Sequence, residues 1–156
     1  MAAQLDVSMF KYMPVGLAIL SCAAVMPARA AAPATRFFTT GDTPKPFSAA
    51  VRIGNMVFVS GVIGVGPDGT LPADFTVQAT NVMEGISNEL KLADASMDDV
   101  FKCDVALADM KNYAAFNSVY VKYFKAGHFP VRMASGANGL AKGAAVEASC
   151  QAYTRK

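Results

Sequence analysis

Val146, Ala148, Cys150 and Ala152 alternate with Glu147, Ser149 and Gln151, the period-two pattern of a strand with one apolar and one polar face. Val100 to Leu107 alternates in the same way, with Phe101, Cys103, Val105 and Leu107 on one side and Lys102, Asp104 and Ala106 on the other. Two closing strands are therefore expected at about Val131–Ala137 and Ala145–Tyr153, joined by a glycine-containing loop. Upstream, Val51 to Gly61 reads as two strands joined at Gly54-Asn55, and Pro67-Asp68-Gly69 marks a further turn. Arg36-Phe37-Phe38-Thr39-Thr40 has the texture of a short edge strand inside an Ala-, Pro- and Thr-rich leader.

Two segments change period. Phe75, Ala79, Val82, Met83, Ile86 and Leu90 recur at three-and-four spacing behind Asp74, a good helix cap. Tyr113, Phe116, Tyr120, Tyr123 and Phe124 form a second stripe, opened by Asp109 and expected to close at Gly127. This aromatic stripe is core in character rather than a platform for stacking bases. The order strand, helix, strand, helix, strand, strand predicts an α+β domain with both helices on one face of a sheet. With the apolar face of the last strand against the helices, Glu147 points to the other side. A single layer cannot leave that side bare, so a partner subunit is expected to cover it.

Lys11 followed by the apolar run Met13 to Val25, with Ala28-Arg29-Ala30 behind it, has the form of a secretory signal. The run is shorter than the ~20 residues a bilayer needs. Residues 1–30 are accordingly assigned to a signal peptide, 31–43 to the leader and 44–156 to one domain. This predicts a periplasmic or secreted protein without stable membrane insertion. A buried helix is the plain alternative, and a lipid anchor at Cys22 fits less well because Leu20 precedes Ser21. Export leaves Cys103 and Cys150, which share an apolar side and can be bridged if their strands are neighbours. Buried free thiols are equally compatible with the pattern.

The 156 residues are 53% apolar and 17% charged, with a net charge of +2 and basic residues scattered. That composition excludes disorder and makes a nucleic-acid surface a poor expectation. The candidate chemistry lies in Phe129-Pro130-Val131-Arg132 and Val146-Glu147. An arginine on a strand can grip a carboxylate through two parallel hydrogen bonds, and a glutamate can activate water. Taken alone, the same two residues also suit a surface ion pair and a solvated strand face. His128 is read as a solvated loop residue, Ser60 equally as a structural hydroxyl, and Cys103 as unsuited to catalysis. Gly136, Gly139 and Gly143 form no phosphate loop, lacking the Lys-Ser/Thr that would follow.

Pro46-Phe47-Ser48-Ala49-Ala50-Val51, Gly54 to Gly61, Asp98 to Lys102, Asp109-Met110, Phe116 to Tyr120, Pro130-Val131-Arg132 and Lys142 to Glu147 together resemble the RidA/YjgF family, over about residues 44–153. The resemblance implies a chorismate-mutase-like fold with a mixed sheet, a homotrimer, and clefts between subunits. It implies hydrolysis of reactive enamines and imines to 2-keto acids and ammonia, with neither metal nor organic cofactor. By the same resemblance Arg132 holds the substrate carboxylate and Glu147 holds water, while Ser60, Gly61, Phe47 and Ala134 line the site. Phe47 stands where the family has a tyrosine, Ala134 where it has a small polar residue, and Val62 where glutamine is common. These departures imply a more apolar cleft. The alternatives are a non-catalytic binder of small carboxylates, a structural or chaperone-like trimer, and a nuclease, against which the scattered charge counts.

Overall fold

The computed structural model describes residues 32–42 and 44–155. The expected signal peptide lies outside the described residues. The elements are β1 (Thr35–Phe38), β2 (Ala50–Ile53), β3 (Met56–Val59), β4 (Val62–Ile63), α1 (Phe75–Leu92), β5 (Val100–Leu107), α2 (Tyr113–Tyr120), β6 (Val131–Gly136) and β7 (Val146–Tyr153). They build one mixed sheet in the order β1-β2-β3-β7-β5-β6, with β4 also paired to β7. Both helices pack over one face, so the α+β reading holds.

The edge strand in the leader forms β1, antiparallel to β2. The Gly54-Asn55 loop closes the β2–β3 hairpin with Gly54 at φ 57°, a conformation that glycine adopts without a Cβ penalty. Asp74 caps α1 by accepting the Val77 N–H at 2.9 Å. The stripe Ala79, Val82, Met83, Ile86 and Leu90 is wholly buried beneath it. Gln78 joins this face because its amide bridges two loops: it donates to the Pro72 carbonyl at 2.6 Å and accepts from Ala145 N–H at 2.9 Å. At the far end of α1, Arg52 reaches the Ala93 carbonyl at 2.7 Å and the Thr154 hydroxyl at 2.6 Å, tying helix, hairpin and C-terminus together.

Four details depart from the pattern-based expectation. Phe101 is not on the buried side: a β-bulge between Val100 and Lys102 inserts it as an extra residue, and Val100 takes the inward place. The second helical segment ends at Tyr123 rather than Gly127, which sits at φ 79° in a turn from Lys125 to His128. The strand expected through Gly61 breaks after Val59. Four steps from Phe58 to Val62 answer three from Gln151 to Ala148 on β7, so one extra residue is absorbed at Ser60-Gly61. Finally, β6 and β7 are not neighbours. The β5–α2–β6 crossover makes β6 parallel to β5, and β5 lies between the two.

Cys103 and Cys150 are register partners on β5 and β7, with Cα atoms 4.1 Å apart, and they form a disulfide. Both are buried in the core between sheet and helices. The opposite face of the sheet carries Val131 and Met133, 67% and 61% exposed, together with exposed Phe58 and Tyr153. No described helix is long and apolar enough to cross a membrane.

On the outer side of α1, Glu89 is half-buried beside Thr40, Asn88, Lys91 and Leu92. Its Oε2 is buried without a hydrogen-bond partner among the described residues. Burial pushes its carboxyl up to about 7, against a smaller opposing pull from Lys45.

Candidate functional site

Arg132 lies on β6, the terminal strand of the sheet, paired in register with Cys103. Cross-strand partners share a face, so its side chain projects to the helix side and meets α2. There the guanidinium carbon stands 5.5 Å from the Tyr113 ring centroid, 5.7 Å from Phe116 and 4.6 Å from Tyr120. Nη2 donates to the Asn117 Oδ1 at 2.6 Å and to the Tyr113 hydroxyl at 3.2 Å. Helical spacing explains the arrangement: residues 113, 116, 117 and 120 occupy one side of α2. An aromatic box of this kind fixes a cation in place, each ring contributing roughly 0.5–2 kcal/mol according to its exposure. Burial raises the Tyr120 phenol above its ordinary value, and the Arg132 charge pulls it the other way.

The guanidinium opens into a cleft of ≈ 450 Å³, lined also by Val121, Phe129, Pro130 and Ala134. Among the described residues Nη1 has no hydrogen-bond partner. A carboxylate can therefore engage Nη1 directly, and reach Nη2 if the longer contact to Tyr113 is released. Asn117 and Tyr113 hold the arginine, yet the apolar pattern put Tyr113 in the core and gave Asn117 no role. Their four-residue spacing, matched to an arginine that would otherwise lack a partner, was the available signal.

Glu147 lies on β7, in register with Ala106 of β5 and Ile63 of β4. It projects to the face without helices, as the alternation predicts. It lines a hollow of ≈ 190 Å³ with Gly61, Asp104, Ala106, Met133, Ser135 and Ser149. Gly61 is required there, because a Cβ on it would overlap the Glu147 carboxylate. The irregularity at Ser60-Gly61 thus brings backbone against the acid, a common use of a bulge. Asp104 is a second acid in this hollow that pattern reading left as an ordinary polar-face residue. Its Oδ2 pairs with Lys102 at 3.0 Å, while its Oδ1 is buried without a partner among the described residues.

Within one chain the two halves do not meet. Arg132 and Ala134 line the cleft on the helix side, whereas Glu147 and Gly61 line the hollow on the opposite side. Ser60 is half-buried and donates its backbone N–H to the Ala49 carbonyl at 2.9 Å. Phe47 is exposed, with the Lys45 ammonium 6.0 Å from its ring centroid, and lines neither cavity of its own chain. His128 is an exposed loop residue, as expected.

Residues 40–154 match the family model described as Endoribonuclease L-PSP. The chain belongs to this family, the RidA/YjgF group. Among its members, the chain is 36% identical over 110 residues to Protein HMF1 of Saccharomyces cerevisiae, covering 70% of this chain and 84% of that protein. It is 34% identical over 117 residues to the 2-iminobutanoate/2-iminopropanoate deaminase of Capra hircus, covering 72% of this chain and 85% of the relative. The crystal structure of RidA from the Antarctic bacterium Psychrobacter sp. PAMC 21119 superposes with a TM-score of 0.71 at 32% identity, covering 76% of this chain and 99% of that one. The mixed sheet and paired helices are thus the fold of this RidA-type family.

Proposed function

We propose that the protein hydrolyses 2-imino and 2-enamino acids to 2-keto acids and ammonia, in clefts formed between three copies of the chain. The observation that carries this reading is Arg132 held in its aromatic box with N–H groups open to the cleft. The kinship with a named iminobutanoate deaminase supplies the reaction class. Glu147 lies on the other face of the same sheet, so a site using both draws Arg132 from one subunit and Glu147 from its neighbour. The exposed apolar side chains on the helix-free face favour such assembly.

In this site Arg132 binds the carboxylate, and the Tyr113 hydroxyl, released from Nη2, donates to it as well. That phenol supplies a donor that Phe47 lacks. Water adds to the imine carbon with Glu147 accepting its proton, forming a carbinolamine. The proton passes to nitrogen, ammonia departs with the carbon–nitrogen electron pair, and the hydroxyl gives its proton to the Glu147 carboxylate as it becomes the ketone. An imine carbon is already electrophilic, so placement and charge compensation are what the site contributes. Metal and organic cofactor are not part of the scheme. A trimer that binds small carboxylates without turnover is the second reading, since the Arg132 cleft alone would serve it.

Mixing two inactive variants tests the scheme. Arg132→Ala and Glu147→Gln proteins, unfolded and refolded together, should regain about a quarter of wild-type keto-acid release, because random assembly rebuilds that share of intersubunit sites. No recovery from correctly folded mixtures would overturn a shared site. Wild-type protein that binds carboxylates yet releases no keto acid would leave the binding reading.

The same proposal places the protein outside the cytosol, with residues 1–30 acting as the export signal. The buried Cys103–Cys150 bond is in keeping with an oxidising compartment. Fractionation that finds the chain reduced and cytosolic would overturn this.

A further inference from the structure

An imine carbon accepts water directly, whereas a 2-enamino acid does not, because its C2 becomes electrophilic only after C3 has taken a proton. In the hydrolytic cycle that proton has no donor, yet each turnover ends with a proton on Glu147. Among the described residues the Glu147 carboxylate accepts no hydrogen bond and pairs with no cation, and backbone at Gly61 lies against it. Asp104, the other acid of this hollow, is committed: its Oδ2 is held by Lys102 at 3.0 Å and its Oδ1 is buried. Glu147 is thus the acid whose proton is free to move.

We propose that the protein is also a tautomerase, in which Glu147 protonates C3 of 2-enamino acids and removes a C3 proton from 2-keto acids. The activity rests on the intersubunit site proposed above and makes the enamine the form that site takes up. In the forward direction the Glu147 O–H bond breaks and the C2–C3 π pair forms the new C3–H bond. The nitrogen lone pair makes the C2–N double bond, giving the iminium. Glu147 is left as the carboxylate that next accepts the proton of water. The cycle then closes, since the last proton of hydrolysis returns to Glu147 and enamino acid plus water has become keto acid plus ammonia. One carboxylate can serve both steps because C2 and C3 are bonded neighbours, and water addition and C–H transfer both occur above the same π plane. Arg132, fixed by Asn117 and the Tyr120 ring, orients that plane through its grip on the substrate carboxylate. The enol of a 2-keto acid has oxygen where the enamine has nitrogen, so proton removal at C3 of a bound keto acid is the corresponding step in reverse.

The test follows exchange of the C3 hydrogens of 2-ketobutanoate in D2O by proton NMR. Keto-acid release from 2-iminopropanoate, generated in the assay by an amino-acid oxidase, is measured alongside. Wild type should exchange about a hundredfold faster than buffer, the scale of one positioned acid–base group. A base on one face takes one of the two C3 hydrogens, so a single deuterium should enter well before the second, whereas buffer labels both alike. Arg132→Ala and Glu147→Gln should lose the acceleration, with calorimetry of propanoate binding to Glu147→Gln showing that fold and carboxylate grip survive. Glu147→Asp, which withdraws the acid by one methylene, should exchange more slowly than wild type. Absent exchange would overturn the tautomerase whether or not the imine is hydrolysed. Exchange without imine hydrolysis would keep the tautomerase and remove the hydrolytic reading. Exchange that persists in Glu147→Gln, runs undiminished in Glu147→Asp, or labels both hydrogens equally would overturn the role of Glu147.

Discussion

The Glu147 carboxylate occupies the space that a Cβ on Gly61 would fill, and the extra residue at Ser60-Gly61 is what lets backbone come so near. Replacing Gly61 by alanine should push the carboxylate aside without disturbing the core, since the contact lies on the helix-free face. We expect kcat for imine hydrolysis to fall roughly 10–100-fold, the scale of a displaced catalytic group, with little change in KM. Steady-state kinetics alongside a thermal melt checks this, and a large loss of melting temperature would point to a structural cause instead.

Arg132→Lys keeps the charge but removes the planar fork and the ring stacking. Lysine can still donate one charge-assisted hydrogen bond to the carboxylate, so losing the second, worth about 1.5–3 kcal/mol, lowers kcat/KM by roughly 10- to 100-fold. Asn117→Ala should show a smaller loss, because it frees the guanidinium to swing rather than deleting it. Measuring both variants against one imine orders them, and an Asn117→Ala loss equal to that of Arg132→Lys would make orientation the dominant contribution.

The Cys103–Cys150 bridge spans a sequence separation of 47. Chain entropy alone assigns a loop of that size about 4 kcal/mol of stability. The double variant Cys103→Ala, Cys150→Ala should therefore melt lower by on the order of 10 °C. Calorimetry of oxidised wild type against this variant tests the value, and intact mass with and without reductant reads the bond itself.

Glu89 gives a pH signature. Its carboxyl is raised from 4.5 to about 7 in the folded chain, so folding binds its proton more tightly than the unfolded chain does. This contribution is fully present below the unfolded value and is lost as pH rises through the folded one, between about 4.5 and 7. Glu89→Gln should flatten that part of the stability-against-pH curve, measured by denaturant melts at stepped pH. An unchanged slope would assign the pH dependence elsewhere.

Alternation alone was enough to read β7 correctly, and three-and-four spacing was enough for α1, because both depend on one element meeting one apolar layer. Phe101 escaped because a bulge resets the period within an otherwise regular strand. Gln78 escaped because its value comes from two distant loops, at Pro72 and Ala145, that only the folded chain brings together. Arg132 and Glu147 looked like residues of adjacent strands since they are close in sequence. Their placement on opposite faces follows from the parallel β5–β6 pairing, and a register of that kind leaves no trace in hydrophobic period. Arg132 and Glu147 were therefore legible as residues, whereas the separation of their two cavities was not.

The cross-strand sulfur bond joins residues that the ladder already places face to face, so it creates no new pairing. What it does is forbid the others. A slip of one residue between β5 and β7 would turn every β7 side chain over, sending Glu147 into the hydrocarbon interior and Cys150 out of it. In the oxidised chain that slip requires breaking a covalent bond. The disulfide thus acts as a covalent lock on alignment, securing the side of the sheet on which the acid stands.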